Sequence, residues 1–359
     1  MIEIHYFIGG SMKLFSVKQL FLILIVIFCG SATGSQLSNP YQGKIVVRQG
    51  QEESTLKILA LQQVFVKVSG NKEVNHLPGS KLSLKDINAM LAQFSYYKGK
   101  KHTYFIANFD EQKINRVLSS LQQPIWGKTR PTTLIWLIKT DQSGRLLVSD
   151  SYLQRRADST LSETIQQEQL ARGIPLQFPL MDLEDNLAIS LSDVSGRFYN
   201  ILARASTRYQ VANIVSADLR QINATQWQLS WQLFSTSKNK VLLSSVKKGE
   251  KAEVIQQMLD AISDYYARQY AILENTDEKF YQRIYIKGIN SLTRLTKMHQ
   301  LLSDMPSISS YQILSVKHNL VSLKVKIKGG LQSFANAFAI QPHLRPMPAE
   351  SKPFYFDWH

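Results

Sequence analysis

The sequence predicts an α/β (α+β) protein built from two to three small mixed-sheet domains, with no transmembrane core once an N-terminal export segment is removed. Three patterns predict it. Apolar stripes of helical period alternate with short β-branched runs along the whole chain. The run Leu134-Ile135-Trp136-Leu137-Ile138 is continuously apolar, as in a strand covered on both faces. Trp227, Leu229, Trp231 and Leu233 alternate with Gln228, Ser230 and Gln232, which is the period of a strand with one buried face.

Residues 1–34 read as an export signal. Lys13 and Lys18 supply positive charge after Met12, the more economical start, and residues 20–28 form the apolar core. Ala32 and Gly34 occupy the small-residue positions for cleavage before Ser35. The apolar run is short for a bilayer span, which takes ~20 residues, although a retained N-terminal anchor is the competing reading. Cys29 is the chain's one cysteine. Phe28 precedes it, where a lipoprotein signal needs a small residue, so no lipid anchor is expected. Processing would leave no cysteine and thus no disulfide, thiolate metal site or cysteine nucleophile.

The N-terminal domain is expected over 35–128. A strand over 41–48 leads to a helix over 54–68 with Leu61, Val64, Phe65 and Val68 on one face, stopped at Gly70. Ser83 with Asp86 three residues on marks the start of a second helix, with a stripe of Leu84, Ile87, Leu91 and Phe94. Residues 96–109 form a basic, aromatic hairpin broken at 98–101. Asp110 caps a third helix, which Pro124 ends.

The middle domain is expected over 129–274. It has a strand over 132–138, a turn at 141–144, a helix over 159–171 ended by Gly173, and a short strand over 174–178. A helix over 196–209, a strand over 211–219, the Trp227/Trp231 hairpin and a long amphipathic helix over 251–273 follow. The polar segment 274–278 is the best boundary in the chain. A small αβ unit over 275–340 follows: a strand over 281–287, a helix over 292–302, a hairpin over 311–327 and a helix over 331–339. Residues 341–359, with Pro342, Pro346, Pro348 and Pro353, read as an unstructured proline-rich tail.

Segments spread over this order carry a family likeness: 64–71 (Val-Phe-Val-Lys-Val-Ser-Gly-Asn), 126–131 (Trp-Gly-Lys-Thr-Arg-Pro), 172–176 (Arg-Gly-Ile-Pro-Leu), 181–185 (Met-Asp-Leu-Glu-Asp), 205–209 (Ala-Ser-Thr-Arg-Tyr) and the Trp227/Trp231 hairpin. Together they resemble a bacterial family known as domain of unknown function 2066. The resemblance implies an exported protein of a Gram-negative bacterium with no agreed activity. The chain departs from it at Gln221-Ile222-Asn223-Ala224, where members often carry a glycine-rich hairpin tip. The middle domain's order of elements is also similar to the N-terminal domain of the Tol translocation protein and to lipoprotein activators of penicillin-binding proteins.

The candidate functional residues are Trp126, Arg130, Asp182, Glu184 and Asp185. The acids follow a short strand, where α/β sheets place ligand-facing loops. Two carboxylates suit acid–base work or a divalent cation, and they equally suit helix capping, which is favoured. Arg130 is expected to pair with one of those acids across the sheet edge. Trp126, Trp136, Trp227 and Trp231 are candidates for a sugar-stacking groove, with core packing favoured for Trp227 and Trp231. Lys98, Lys100 and Lys101 beside Tyr96, Tyr97 and Tyr104 suit either a solvated hairpin or contact with an acidic polymer. His76, His102, His299 and His318 show no paired ligand spacing, so no metal or cofactor is expected.

Lys+Arg exceed Asp+Glu by 42 − 27 = 15, but the basic residues are scattered. Export and scatter argue against nucleic acid. The favoured expectation is a non-enzymatic periplasmic binding or scaffold protein whose partner is an envelope protein or cell-wall polymer. The alternative is a carboxylate- or metal-assisted envelope hydrolase using the loop at 182–185.

Overall fold

The computed structural model describes residues 39–99, 102–211, 213–236, 238–273, 280–341, 343–347 and 354–359. The expected export segment, Cys29, Lys100, Lys101 and the polar boundary at 274–278 lie outside them. The chain is a mixed α/β protein with three sheets among these residues. No helix of the described residues is long and apolar enough to cross a membrane.

The first sheet has the order β1-β3-β2, from Gln42–Val46 (β1), Leu91–Lys98 (β2) and Thr103–Phe109 (β3), all antiparallel. Helix α1 (Glu53–Ser69) lays Leu61, Val64, Phe65 and Val68 on Phe105, Ala107 and Phe109. It ends at Gly70, whose φ of +71° is the left-handed cap that glycine adopts without strain. A Cβ there would also collide with Ala267 of the middle region. Helix α2 (Leu84–Met90) starts on the Ser83 hydroxyl as expected, but stops early. Leu91 and Phe94 belong to β2 instead, and Leu84 is exposed. An aromatic run, Phe94, Tyr96 and Tyr97, that pairs with β3 wins over a weak helical stripe. Helix α3 (Glu111–Ser120) is capped by Asp110.

The second sheet runs β5-β4-β7-β8-β9, with β6 beside β4. Its strands are Thr133–Asp141 (β4), Gly144–Leu147 (β5), Leu176–Gln177 (β6), Asn213–Gln221 (β7), Trp227–Ser235 (β8) and Lys240–Gly249 (β9). β4 and β7 are parallel, and β7-β8-β9 is an antiparallel meander. Between β5 and β7 lie α4 (Asp150–Gln154), α5 (Ser159–Arg172), α6 (Leu183–Ala188), α7 (Leu191–Gly196) and α8 (Tyr199–Ser206). Helix α9 (Lys251–Tyr270) follows β9. Ile135, Leu137, Trp227, Leu229, Trp231 and Leu233 pack under α5 and α9. Leu134, Trp136 and Ile138 pack with α7 and α8 on the opposite face. Burial on both faces is why β4 reads as a continuous apolar run.

The expected helix over 196–209 is shorter, α8 closing in a 3-10 turn over Thr207–Tyr209, and a separate helix precedes it. Ser190 and Asp193 form a reciprocal capping box that starts α7 earlier, and Arg197 at φ +57° breaks the chain before α8. The expected strand over 174–178 shrinks to β6, since Pro175 and Pro179 bracket it and lack ladder N–H groups.

The third sheet has the order β11-β12-β10-β14-β13, from Phe280–Lys287 (β10), Ile308–Lys317 (β11), Leu320–Ile327 (β12), Leu344–Pro346 (β13) and Tyr355–Trp358 (β14). Helices α10 (Leu292–Ser303) and α11 (Gly330–Ala339) cover it. The described part of the expected unstructured tail instead carries two strands. β14 pairs in parallel with β10, burying Phe356 and Trp358 in the third core. Two aromatic residues at alternate positions supply enough apolar surface to offset ordering four residues, which proline content alone conceals.

Candidate functional site

Trp126, Arg130, Asp182, Glu184 and Asp185 do not converge on one site. Arg130 is buried and makes no contact with the acidic loop. Its Nη1 donates to the carbonyls of Arg172 (3.1 Å) and Gly173 (2.8 Å), Nη2 to that of Lys67 (2.7 Å), and Nε to that of Gly127 (3.2 Å). The guanidinium also lies 4.0 Å from the centre of the Trp126 ring. The expected pairing with a carboxylate is thus replaced by a staple. The C-terminal carbonyls of α1 and α5, negative ends of two helix dipoles, meet one fixed cation. Gly173 sits at φ +63°, and a Cβ on it would lie 2.8 Å from Nη1 of Arg130. Glycine is required there twice over. Burial lowers the pKa of Arg130 from its ordinary value, and it also lowers Lys67 to about 7, with Arg130 adding to the effect.

The acidic loop finds other partners. Asp182 caps α6 and takes both Nη atoms of Arg208 at 2.8 Å. Asp185, fully buried, accepts from the Met181 N–H (2.8 Å), the Tyr209 hydroxyl (2.5 Å) and Arg208 (3.2 Å). Glu184 is exposed and lies 3.5 Å from Arg208. The fork to Arg208 holds the Asp182 carboxyl below the usual range; burial and the hydrogen bond to Asp185 push the Tyr209 hydroxyl up. Arg208 and Tyr209 belong to the segment 205–209 that carries the family likeness, but the sequence does not single them out as site residues. The signal was present, since a basic and a phenolic donor adjoin at the end of α8. Only folding shows that they face the loop.

Among the described residues no group of three or more His, Cys, Asp or Glu is placed to hold a metal ion. Trp126, Trp136, Trp227 and Trp231 are core residues, so the sugar-groove alternative fails for all four. Trp136 donates to the Ser206 hydroxyl at 2.9 Å.

Two other places present groups to the outside. The first is the β2 edge of the first sheet, which no other described strand pairs. A helix ~10 Å wide covers about two strands spaced ~4.8 Å apart, and α1 lies over β1 and β3. β2 overhangs. Phe94 and Tyr96 lie on the helix-side face, edge-on or tilted to buried Phe105, and are 40% and 51% exposed. Tyr97 stacks with Tyr104 on the other face, with the Lys44 ammonium 4.5 Å from the Tyr104 ring. Neither β2 nor β3 contains an acidic residue. The second place is a cleft of about 740 Å³ where Trp126 and Lys128 meet the third sheet's helices.

Residues 35–127 match the model of a domain of unknown function, DUF8605. That replaces the expected resemblance to domain of unknown function 2066: the matched family is a different one and covers the N-terminal region only. No curated protein matches the chain. Solved structures similar to parts of it include the C-terminal domain of LpoB from Salmonella enterica (9% identity, 34% of this chain and 84% of that one, TM-score 0.21). TolB from Acinetobacter baumannii is 12% identical over 45% of this chain and 34% of its own, at TM-score 0.22. Lipoprotein GNA1162 from Neisseria meningitidis is 10% identical over 41% of this chain and 99% of its own, at 0.23. Likenesses this low carry no argument about function.

Proposed function

We propose that the chain is an exported, non-enzymatic binding protein of the Gram-negative envelope, and that β2 docks an extended acidic segment of another envelope protein. The observation that carries the reading is the overhanging strand: eight residues with an edge that no other described strand pairs, aromatic side chains on both faces and no acid on either strand of the hairpin. Edge strands are normally blunted, because their unpaired backbone groups recruit another strand. Strand addition supplies affinity through those groups, and aromatic side chains supply specificity. Lys44 and Lys98 favour an acidic partner. The signal-like segment 20–28 supports export. The hydrolase alternative is disfavoured because Asp182 and Asp185 are occupied by Arg208, Tyr209 and backbone donors.

The test is site-specific photocrosslinking in cells from Tyr97, with an equally exposed position on β11, Val316, as control. One protein crosslinked from position 97 alone, through a segment that is acidic and extended, is the expected result. A synthetic peptide of that segment should compete, and Phe94→Ser with Tyr96→Ser should abolish capture while far-ultraviolet circular dichroism shows the variant still folded. Equal capture from both positions, or capture through a helical or basic segment, would refute strand docking.

A further inference from the structure

The two faces of the third sheet differ in character. On one, Ile284, Ile286, Leu323, Val325 and Phe356 pack with Met298 and Leu302 of α10 and Phe334 and Phe338 of α11. Successive residues of a strand point to opposite faces, and partners in register share a face. The register therefore assigns the other face row by row. Tyr281 stands opposite Lys326, and Arg283 opposite Lys324. Tyr285 is in register with Ser322 and Tyr355, and Lys287 with Leu320 and Asp357. Lys317 extends the last row to β11, and Arg345 extends it to β13. Two ring contacts agree with this assignment. Tyr285 and Tyr355 stack with centres 5.8 Å apart, and the Lys324 ammonium lies 4.6 Å from the centre of the Tyr281 ring.

This second face is strongly basic. It carries Arg283, Lys287, Lys317, Lys324, Lys326 and Arg345, against the single carboxylate of Asp357. Asp357 is the only acid in all five strands. Every one of the six cations except half-buried Lys326 is exposed. A basic face that served solubility alone would mix both signs. Here two cations, Arg283 and Lys324, face one another directly across a strand pair. Like charges so placed destabilise a sheet, and an anionic partner lying on the face removes that repulsion.

The layout of the charges selects the partner. Four strand spacings of ~4.8 Å make the face about 19 Å wide, and the rows from Tyr281 to Lys287 extend about 20 Å along β10. Lys326 and Lys287 mark the two ends along the strands. Lys317 and Arg345 lie on the two outermost strands. A linear polyanion engages cations set along one track, whereas a planar array of anions engages the whole grid. The headgroups of an anionic bilayer form such an array, and each Lys or Arg near it adds to the attraction. Tyrosine, with an apolar ring and a polar tip, suits the headgroup level.

We infer that the outer face of the third sheet docks on the surface of an anionic lipid bilayer. The face belongs to a different sheet from β2 and does not rest on the docking proposal.

The test is co-sedimentation of the purified full chain with vesicles of phosphatidylcholine alone and with vesicles containing about one quarter phosphatidylglycerol. The anionic vesicles should bind more tightly. Any contribution of the apolar run 20–28 is common to both vesicles and drops out of the ratio. Arg283→Gln with Lys287→Gln should weaken binding to the anionic vesicles by about ten- to thirtyfold, at about fivefold for each cation removed. Binding to the neutral vesicles should not change. Lys247→Gln with Lys248→Gln removes the same charge from exposed positions on β9 and should leave the ratio as it was. Raising the salt from about 0.1 M to about 1 M should release the protein, because charges are then screened within about 3 Å. If the Arg283/Lys287 variant does not fold, Lys317→Gln with Arg345→Gln decides. Equal binding to both vesicles, or an equal loss in the β9 variant, would overturn the inference. So would binding of oligothymidylate or polygalacturonate under conditions where the anionic vesicles are not bound. None of these outcomes bears on crosslinking from Tyr97.

Discussion

Replacing Arg130 by Met should remove a large share of this protein's stability. The side chain occupies similar space, so the loss reflects hydrogen bonding and charge rather than a cavity. Four carbonyls lose their donor: those of Lys67, Gly127, Arg172 and Gly173. Hydrogen bonds from a charged donor contribute about 1.5–3 kcal/mol each, and the contact with Trp126 adds about 0.5–2 kcal/mol. Against this, Met no longer has to desolvate a guanidinium, the cost that lowers the Arg130 pKa. Breaking one partner out of a buried charged set typically destabilises by about 3–5 kcal/mol, and we expect a value in that range. Globular proteins hold only about 5–15 kcal/mol in all. Urea denaturation followed by both tryptophan fluorescence and far-ultraviolet circular dichroism reads the loss as a lower midpoint. Because Arg130 joins α1 to α5, the two probes should also cease to coincide. Arg130→Lys should recover little, since one ammonium cannot reach carbonyls lying in several directions. A loss below about 1 kcal/mol, or full rescue by lysine, would refute the staple.

Asp185→Asn should destabilise by about 2–4 kcal/mol, since a fully buried acceptor of three hydrogen bonds loses its charge; a variant as stable as the parent would reopen the catalytic reading of the loop. Gly173→Ala should cost about 1–3 kcal/mol, from the left-handed backbone and the approach of Arg130, measured by the same denaturation. Burial, helped by Asp260, raises Glu168 from 4.5 to about 7. The folded state therefore holds a proton that the unfolded state has released, and stability should fall as pH rises from about 4.5 to about 7; Glu168→Gln should abolish that slope. Lys67 acts with the opposite sign. Its pKa drops from 10.5 to about 7, so the unfolded state binds more protons between those values and stability should rise with pH across them, but not in Lys67→Met.

The sequence alone determined the elements whose physics is local. Gly70 and Gly173 end helices because they sit where the chain must turn left-handed, and Ser83 and Asp110 start helices because their oxygens reach nearby backbone N–H groups. The Trp227–Leu233 alternation gave its strand directly, since the period of two is a property of the strand itself. What only tertiary structure decided were the partners. Arg130 and Asp185 are both charged and both near a sheet end, yet one is taken by helix carbonyls and the other by Arg208 and Tyr209. Nothing in their spacing encodes that choice. The same holds for β2: a helical stripe and a strand compete over Leu91 and Phe94, and pairing with Phe109 and Ala107 settles it. Proline content hides the strand in the tail because its pairing with β10 joins residues about seventy positions apart. The cleft around Trp126 and Ser307 was invisible for the same reason. Its walls come from three regions that meet only in the folded chain.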